Sequence, residues 1–317
     1  MRKAALLYNP RSGGSKRRQR ELDSALAILR GGGVEADLVP TESPDHAEDE
    51  TRRAIDSGCD TIFAGGGDGT IHNILQIVVN SPVALAILPM GTANALAHDL
   101  RIPLRVPAAA KASLGATARR VAVGLVKFVD LQGNPGMRYF VVTAGVGVDA
   151  HLFYKLHTGT KERMGMAAYY AKAWHLWFSY PMTRFEAEYL ESGSDAPRSA
   201  AVTELMAVRI RNFGGVVQEL APGASLDRDD MRLVYCRTAS RFAYLAYVTR
   251  GLLRLSTTIR GIELAYSKRV SCRYQSPSNT APAQRKIYVE ADGELLGTLP
   301  AEITVVPDAL TLLAPPR

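Results

Sequence analysis

Short apolar runs alternating with helix-patterned stretches set the rhythm of the first third of the chain. Ala4 to Tyr8 reads as a buried strand. The turn-rich loop Asn9-Pro10-Arg11-Ser12-Gly13-Gly14 follows, and Leu22, Leu26 and Leu29 then recur at helical spacing until Gly31-Gly32-Gly33. Val34, Ala36 and Leu38 alternate as a second strand. Ser43-Pro44 supplies a cap and a first-turn proline, and Gly58 closes that helix before the apolar run Thr61 to Ala64. GGGDGT, residues 65–70, comes next, with Ile71, Ile74, Leu75 and Val78 on one helical face behind it. Val83 to Leu88 then leads as a strand into Pro89-Met90-Gly91-Thr92-Ala93-Asn94. This alternation predicts a parallel α/β sheet. The three polar or glycine-rich loops fall at the carboxyl ends of strands, where open α/β sheets bind their ligands.

From about residue 126 the period shortens. Tyr139 to Thr143, the alternating Phe185, Ala187 and Tyr189, Leu205 to Ile210, Arg232 to Tyr235, Val270 to Tyr274 and Lys286 to Glu290 all read as strands of a β-rich domain. Ser192 to Pro197 and Ser276 to Pro282 read as flexible hairpin loops. Arg163 to Tyr180 is expected to be helical, with Tyr169, Tyr170, Trp174, Trp177 and Phe178 either packing the core or lining a lipid pocket. The expected division is an α/β domain over 1–125, with 302–317 as a candidate completion, and a β-rich domain over 126–301. In that completion the strand Glu302 to Val306 returns to the first domain.

The chain has 317 residues, enough for two cores. Cys59, Cys236 and Cys272 are too few and too scattered for a disulfide framework or a metal cage, which makes a cytoplasmic location the default. No run approaches the ~18 apolar residues of a membrane span, so any membrane contact is expected to be peripheral. The net charge of +7 favours an anionic partner. Because it is spread along the chain, it fits nucleotide phosphates and an anionic bilayer surface better than a nucleic acid, for which no recognition motif is present.

In GGGDGT the glycines allow the backbone to approach a phosphate closely. The helix beyond offers N–H groups and the positive end of its dipole. An acid there repels phosphate unless it holds a metal ion or takes a proton. The competing reading is a tight turn with Asp68 as a helix cap. The spacing is not a Walker A motif, and a dinucleotide fingerprint would follow the first strand.

With these loops in place, the chain resembles the diacylglycerol kinase-like lipid kinase family, which includes bacterial diacylglycerol kinases and the sphingosine and ceramide kinases. The likeness is carried by NPRSGG from Asn9, Thr41 before the Ser43-Pro44 helix start, GGGDGTIHN from Gly65 and LPMGTANALA from Leu88. AGVGVDA from Ala144, RNFGG from Arg211 with LAPGASLDRDDM from Leu220, and ADGE from Ala291 complete it. The resemblance implies an α/β nucleotide-binding domain, a C-terminal β-sandwich domain and an ATP cleft between them. It places Asn9, Ser12, Thr41, Gly66, Gly67, Asp68, Gly69, Thr70, Gly91 and Thr92 around the nucleotide phosphates, with Asn94 supporting its loop. Asp292 matches the general base, with Glu294 beside it and Asp68 orienting Mg²⁺ or the nucleophile. Asp230, with Asp227 close by, matches an acid holding a structural Mg²⁺. ATP and Mg²⁺ are the implied co-substrate and ion, a lipid is the acceptor, and a homodimer is among the assemblies allowed.

Two departures stand out. Met231 follows Asp230 where the family has glycine, and Ala95 replaces a frequent aspartate. The structural alternative for Asp292-Gly293 is a plain hairpin turn, and for Asp227 and Asp230 a solvated loop. The functional rivals are an NAD kinase and a catalytically silent nucleotide- or lipid-binding regulator.

Overall fold

The computed structural model describes residues 1–10, 16–148, 150, 182–214, 219–253, 258–275 and 285–316. Ser12, the aromatic helix expected over 163–180 and the loop expected over 276–282 lie outside the described residues. The chain divides into two compact units. The first comprises Met1–Val123, Asn212–Val216 and Val306–Arg317, and the second Gly124–Arg211 and Val217–Val305.

The first unit runs β1 (Lys3–Tyr8), α1 (Lys16–Gly31), β2 (Glu35–Pro40), α2 (Pro44–Asp56), β3 (Thr61–Gly66), α3 (Asp68–Val78), β4 (Ala84–Pro89), α4 (Ala95–Asp99) and α5 (Val106–Leu114). Its sheet has the order β2-β1-β3-β4, all parallel, and the C-terminal part of the long strand β14 (Glu294–Ala314) adds to β4 through Thr311↔Ala84 and Leu312↔Leu85. Every residue of β3 and β4 is buried, as befits parallel strands covered on both faces, and this is why both read as unbroken apolar runs. The Ser43 Oγ accepts from the His46 N–H at 3.1 Å, with Pro44 behind it, giving α2 the start its sequence predicts. Ile71, Ile74, Leu75 and Val78 face inward on α3.

The second unit takes the second half of β5 (Thr117–Val129), β6 (Pro135–Phe140), β7 (Thr143–Gly147), β8 (Phe185–Glu191), β9 (Pro197–Val202), β10 (Glu204–Val208), β11 (Met231–Cys236), α6 (Arg241–Leu253), β12 (Ile262–Tyr274), β13 (Tyr288–Ala291) and the first part of β14. The pairing path is β14-β13-β7-β10-β11-β12-β8-β9, and β12 also pairs with β14. In β12, Ile262 to Ser267 pair with β11. After an irregularity between Ser267 and Val270, the rest of the strand pairs with β8 and β14. Strands that bend from one layer into the next are how antiparallel sheets close into a sandwich. Phe140, Phe185, Val202, Leu205, Leu233, Val270, Val289 and Ile303 fill the interior. On β8, Phe185, Ala187 and Tyr189 point in while Glu186, Glu188 and Leu190 point out.

One expected strand is broken. Tyr139 to Thr143 is divided between β6, which ends at Phe140, and β7, which starts at Thr143. The N–H groups of Val141, Val142 and Thr143 leave the ladder to bind the Asp292 carboxylate.

Candidate functional site

In the first unit the register pairs Tyr8 with both Pro40 and Gly65, and Gly66 with Pro89. The residues that follow, Asn9, Thr41, Gly67 and Met90, therefore emerge at one edge of the sheet. Because the strand order is 2-1-3-4, the connections leaving β1 and β3 depart in opposite directions. The crevice between them is the topological switch point at which such sheets bind ligands. Asn9 and the Gly67-Asp68 turn flank it. The Thr41 N–H donates to the Tyr8 carbonyl at 2.8 Å, holding the buried Thr41 against the end of β1.

The loops after β3 and β4 cross glycine on glycine. A Cβ on Gly91 would lie 2.5 Å from the Gly67 Cα, and one on Gly67 would lie 3.1 Å from the Gly91 Cα. Only two glycines allow this approach. The Asp68 Oδ1 accepts from the Ala95 N–H at 2.9 Å, so the acid caps α4 across the gap, while the cap position of its own helix is Gly67. Asn94, left-handed at φ 49°, closes the second loop on itself. Its Oδ1 accepts from the Gly91 N–H at 2.8 Å and its Nδ2 donates to the Gly91 carbonyl at 2.9 Å. Gly69 and Thr70 lie half-buried in the first turn of α3, and Thr92 is exposed at the tip of the Gly91–Asn94 loop. A glycine-lined helix start of this kind suits an anionic group.

Sequence reasoning missed the contribution of Asp99 and Asn212. An Asp99 carboxylate oxygen accepts from the Asn212 N–H at 2.9 Å, and the Asn212 Oδ1 from the Gly214 N–H at 3.0 Å, fastening Asn212 to α4 within the first unit. No local pattern announces a contact over such a sequence separation.

In the second unit Asp292 and Gly293 form the two-residue turn between β13 and β14, both left-handed at φ 49° and 83°. This is the Asp-Gly hairpin chemistry expected of the pair. The Asp292 carboxylate, however, also gathers three consecutive main-chain donors: Oδ1 from Val142 at 2.9 Å and Thr143 at 3.1 Å, and Oδ2 from Val141 at 3.1 Å. Its own N–H donates to the Thr143 carbonyl at 2.8 Å. Glu294, at the start of β14, is half-buried, and its carboxylate has no hydrogen bond or ion pair among the described residues.

The Mg²⁺ expected at Asp230 and Asp227 does not fit the residues found there. The Asp230 carboxylate is gripped by Arg228, Nε to Oδ1 at 2.6 Å and Nη2 to Oδ2 at 2.9 Å, and Oδ2 also accepts from the Ser192 Oγ at 2.9 Å. Asp227 is held instead by Ser225. The buried Arg209 donates to the Asp230 and Arg228 carbonyls, and the Arg228 guanidinium lies 3.9 Å from the Tyr266 ring centroid. A guanidinium stands where a metal would need open carboxylate oxygens. Burial alone would raise the Asp230 carboxyl, but the bonds from Arg228 and Ser192 and the charges of Arg228 and Arg209 hold it below the usual carboxylate range. Burial lowers Arg209 itself to about 10. Among the described residues no group of three or more His, Cys, Asp or Glu could hold a metal ion.

A family model described as the diacylglycerol kinase catalytic domain matches residues 3–126. The chain is 27% identical over 305 residues to a diacylglycerol kinase of Bacillus subtilis (strain 168), covering 95% of this chain and 93% of that protein. It shares its fold with the crystal structure of a diacylglycerol kinase from Bacillus anthracis str. Sterne, with a TM-score of 0.68 and 16% identity over 99% of this chain and 97% of the other. A more distant likeness, TM-score 0.50 at 11% identity over 99% of this chain and 83% of the other, reaches yeast NADH kinase. The strands and loops that build the switch point are the ones the family model covers, and over residues 3–126 the chain is similar to the diacylglycerol kinase catalytic domain.

Proposed function

We propose that this protein is a lipid kinase that transfers the γ-phosphoryl group of MgATP to a lipid hydroxyl. The observation that carries this reading is the glycine crossing of Gly67 and Gly91 at the switch point, locked by Asp68 and Asn94. In the proposed roles, Asn9, Ser12, Thr41, Gly66, Gly67, Gly69, Thr70, Gly91 and Thr92 surround the phosphates of MgATP. Asp68 keeps the two loops in register and orients the metal that arrives with the nucleotide. As the acceptor oxygen bonds to the γ-phosphorus and the bridging oxygen leaves with ADP, the acceptor proton passes to Asp292. Glu294 beside it supports that transfer. Positioning and electrostatic stabilisation account for most of the catalysis expected of such a phosphoryl transfer.

The test is labelled ATP with Mg²⁺ and a panel of diacylglycerol, sphingoid base, ceramide and glycerophospholipid in mixed micelles, with NAD alongside. Label in one lipid is the expected result. Label in NAD alone would make the protein an NAD kinase, and ATP binding with no labelled product would make it a silent regulator.

A further inference from the structure

Helix α6 is amphipathic in the wrong sense for a helix facing water. Phe242, Leu245, Ala246, Val248, Thr249 and Leu253 make up its exposed arc, and none of them is charged. Phe242 is 83% and Leu253 62% exposed. The Tyr247 and Arg250 side chains face inward. Arg250 is buried, stacked 4.4 Å from the Tyr247 ring centroid, and Tyr247 donates to the Leu220 carbonyl. A surface helix ordinarily does the reverse. The surrounding sequence adds a second, independent property. Between Asp230 and Glu263 the sequence has no acidic residue and six arginines, of which Arg237 and Arg260 are exposed while Arg250 is turned inward.

We propose that α6 docks the protein onto an anionic bilayer, its exposed arc entering the boundary between headgroups and acyl chains while the flanking arginines meet the lipid phosphates. An apolar arc inside a purely cationic stretch has the composition of a helix that lies in an interface. At 13 residues α6 is too short to span the membrane. The choice of a bilayer over another apolar partner rests on the lipid-kinase reading, because such a lipid acceptor resides in the membrane. The charge argument holds without turnover.

The experiment measures binding of the full chain to phosphatidylcholine vesicles with and without phosphatidylglycerol, in the absence of ATP, for the wild type and for the double variant Phe242→Ser with Leu245→Ser. Wild-type protein is expected to bind the anionic vesicles more tightly and to release as salt rises. The double variant should need about 10- to 100-fold more lipid, the loss expected when a phenylalanine and a leucine that enter the apolar phase only in part are withheld from it. Its melting temperature, and its turnover on a short-chain acceptor dispersed as monomers, should match the wild type. Equal vesicle binding by variant and wild type overturns the proposal, as does a wild type indifferent to lipid charge. A wild-type dimer that the variant reduces to a monomer in sedimentation overturns it too, and makes the arc a self-association face. If no lipid accepts label but vesicle binding still depends on α6, the kinase reading falls and the docking stands; if label transfer persists without vesicle binding, the docking falls alone.

Discussion

The Asp68 Oδ1 accepts the Ala95 N–H at 2.9 Å, joining two loops that lie 27 residues apart in sequence. The bond gives the acid a structural duty besides any electrostatic one, and substitution separates the two. Asp68→Asn keeps an acceptor at Oδ1 and removes the charge, whereas Asp68→Ala removes both. The alanine variant should lose about 1 kcal/mol or more of stability, and the asparagine variant much less. Both should lose phosphoryl transfer. Full transfer by Asp68→Asn would leave Asp68 as a cap for α4 and nothing else.

The glycine crossing predicts an order. Gly91→Ala sets a Cβ 2.5 Å from backbone, and Gly67→Ala sets one at 3.1 Å, so the first should be the more damaging, at about 1–3 kcal/mol of overpacking. Thermal unfolding gives the stability and equilibrium titration the ATP affinity. Equal, negligible effects from both substitutions would mean that the loops do not hold this approach in solution.

Asp292→Asn is not a silent change of charge. The new amide can still accept at one atom, but its NH₂ then faces a main-chain N–H of the 141–143 segment, an unsatisfied pairing that costs about 1–3 kcal/mol. Asparagine would be harmless in an isolated hairpin turn, and it is the three-donor clamp that removes this tolerance. If Asp292 is also the base, kcat corrected for folded protein falls by about 10² to 10⁴ while ATP affinity barely moves. Glu294→Gln should leave stability within about 0.5 kcal/mol, because its carboxylate has no partner among the described residues. A folded Asp292→Asn enzyme with undiminished kcat would shift the proton to another group.

The Arg228–Asp230 pair predicts indifference to chelation. Removing divalent ions should leave the melting temperature of the nucleotide-free protein unchanged, because the Asp230 carboxylate is already neutralised by a guanidinium. A clear drop on chelation would place a cation there after all. Acid should act instead. The Asp230 carboxyl lies below its ordinary value in the folded state, so its contribution is complete above that ordinary value, about 3.9. It is lost as pH falls through the depressed folded value. Arg228→Ala should lessen this acid sensitivity in a melting-temperature series.

The sequence made the first unit readable because its physics is local. Buried parallel strands such as Thr61–Gly66 are continuous apolar runs, and caps such as Ser43-Pro44 mark the helix starts. The glycine loops at the switch point were legible for the same reason, although their crossing and the Asp68–Ala95 bond were not. In the second unit, strand existence was legible from alternation, as at Phe185, Ala187 and Tyr189, but lengths were not. The strands β12 and β14 change partners midway, and β14 carries Gly297, Pro300 and Pro307 along its length. Helix α6 escaped notice because its exposed side is apolar and hides the usual period. The grip of Arg228 on Asp230, two residues apart in a loop, follows no periodic rule that a sequence displays.

The strand β14 has a consequence for biosynthesis. Its last part, through Thr311 and Leu312, covers the free edge of β4, and the Asn80 N–H donates to Ala309 beside it. The sheet that carries the glycine loops is encoded mostly between Lys3 and Pro89, yet it lacks its final strand until the ribosome has also translated Thr311 and Leu312. During that interval the nascent β4 presents unpaired N–H and carbonyl groups along an apolar strand, an invitation to stray pairing. Chaperone dependence should therefore concentrate in this window. A fragment ending near residue 126 should aggregate, even though it contains every strand of the sheet but one.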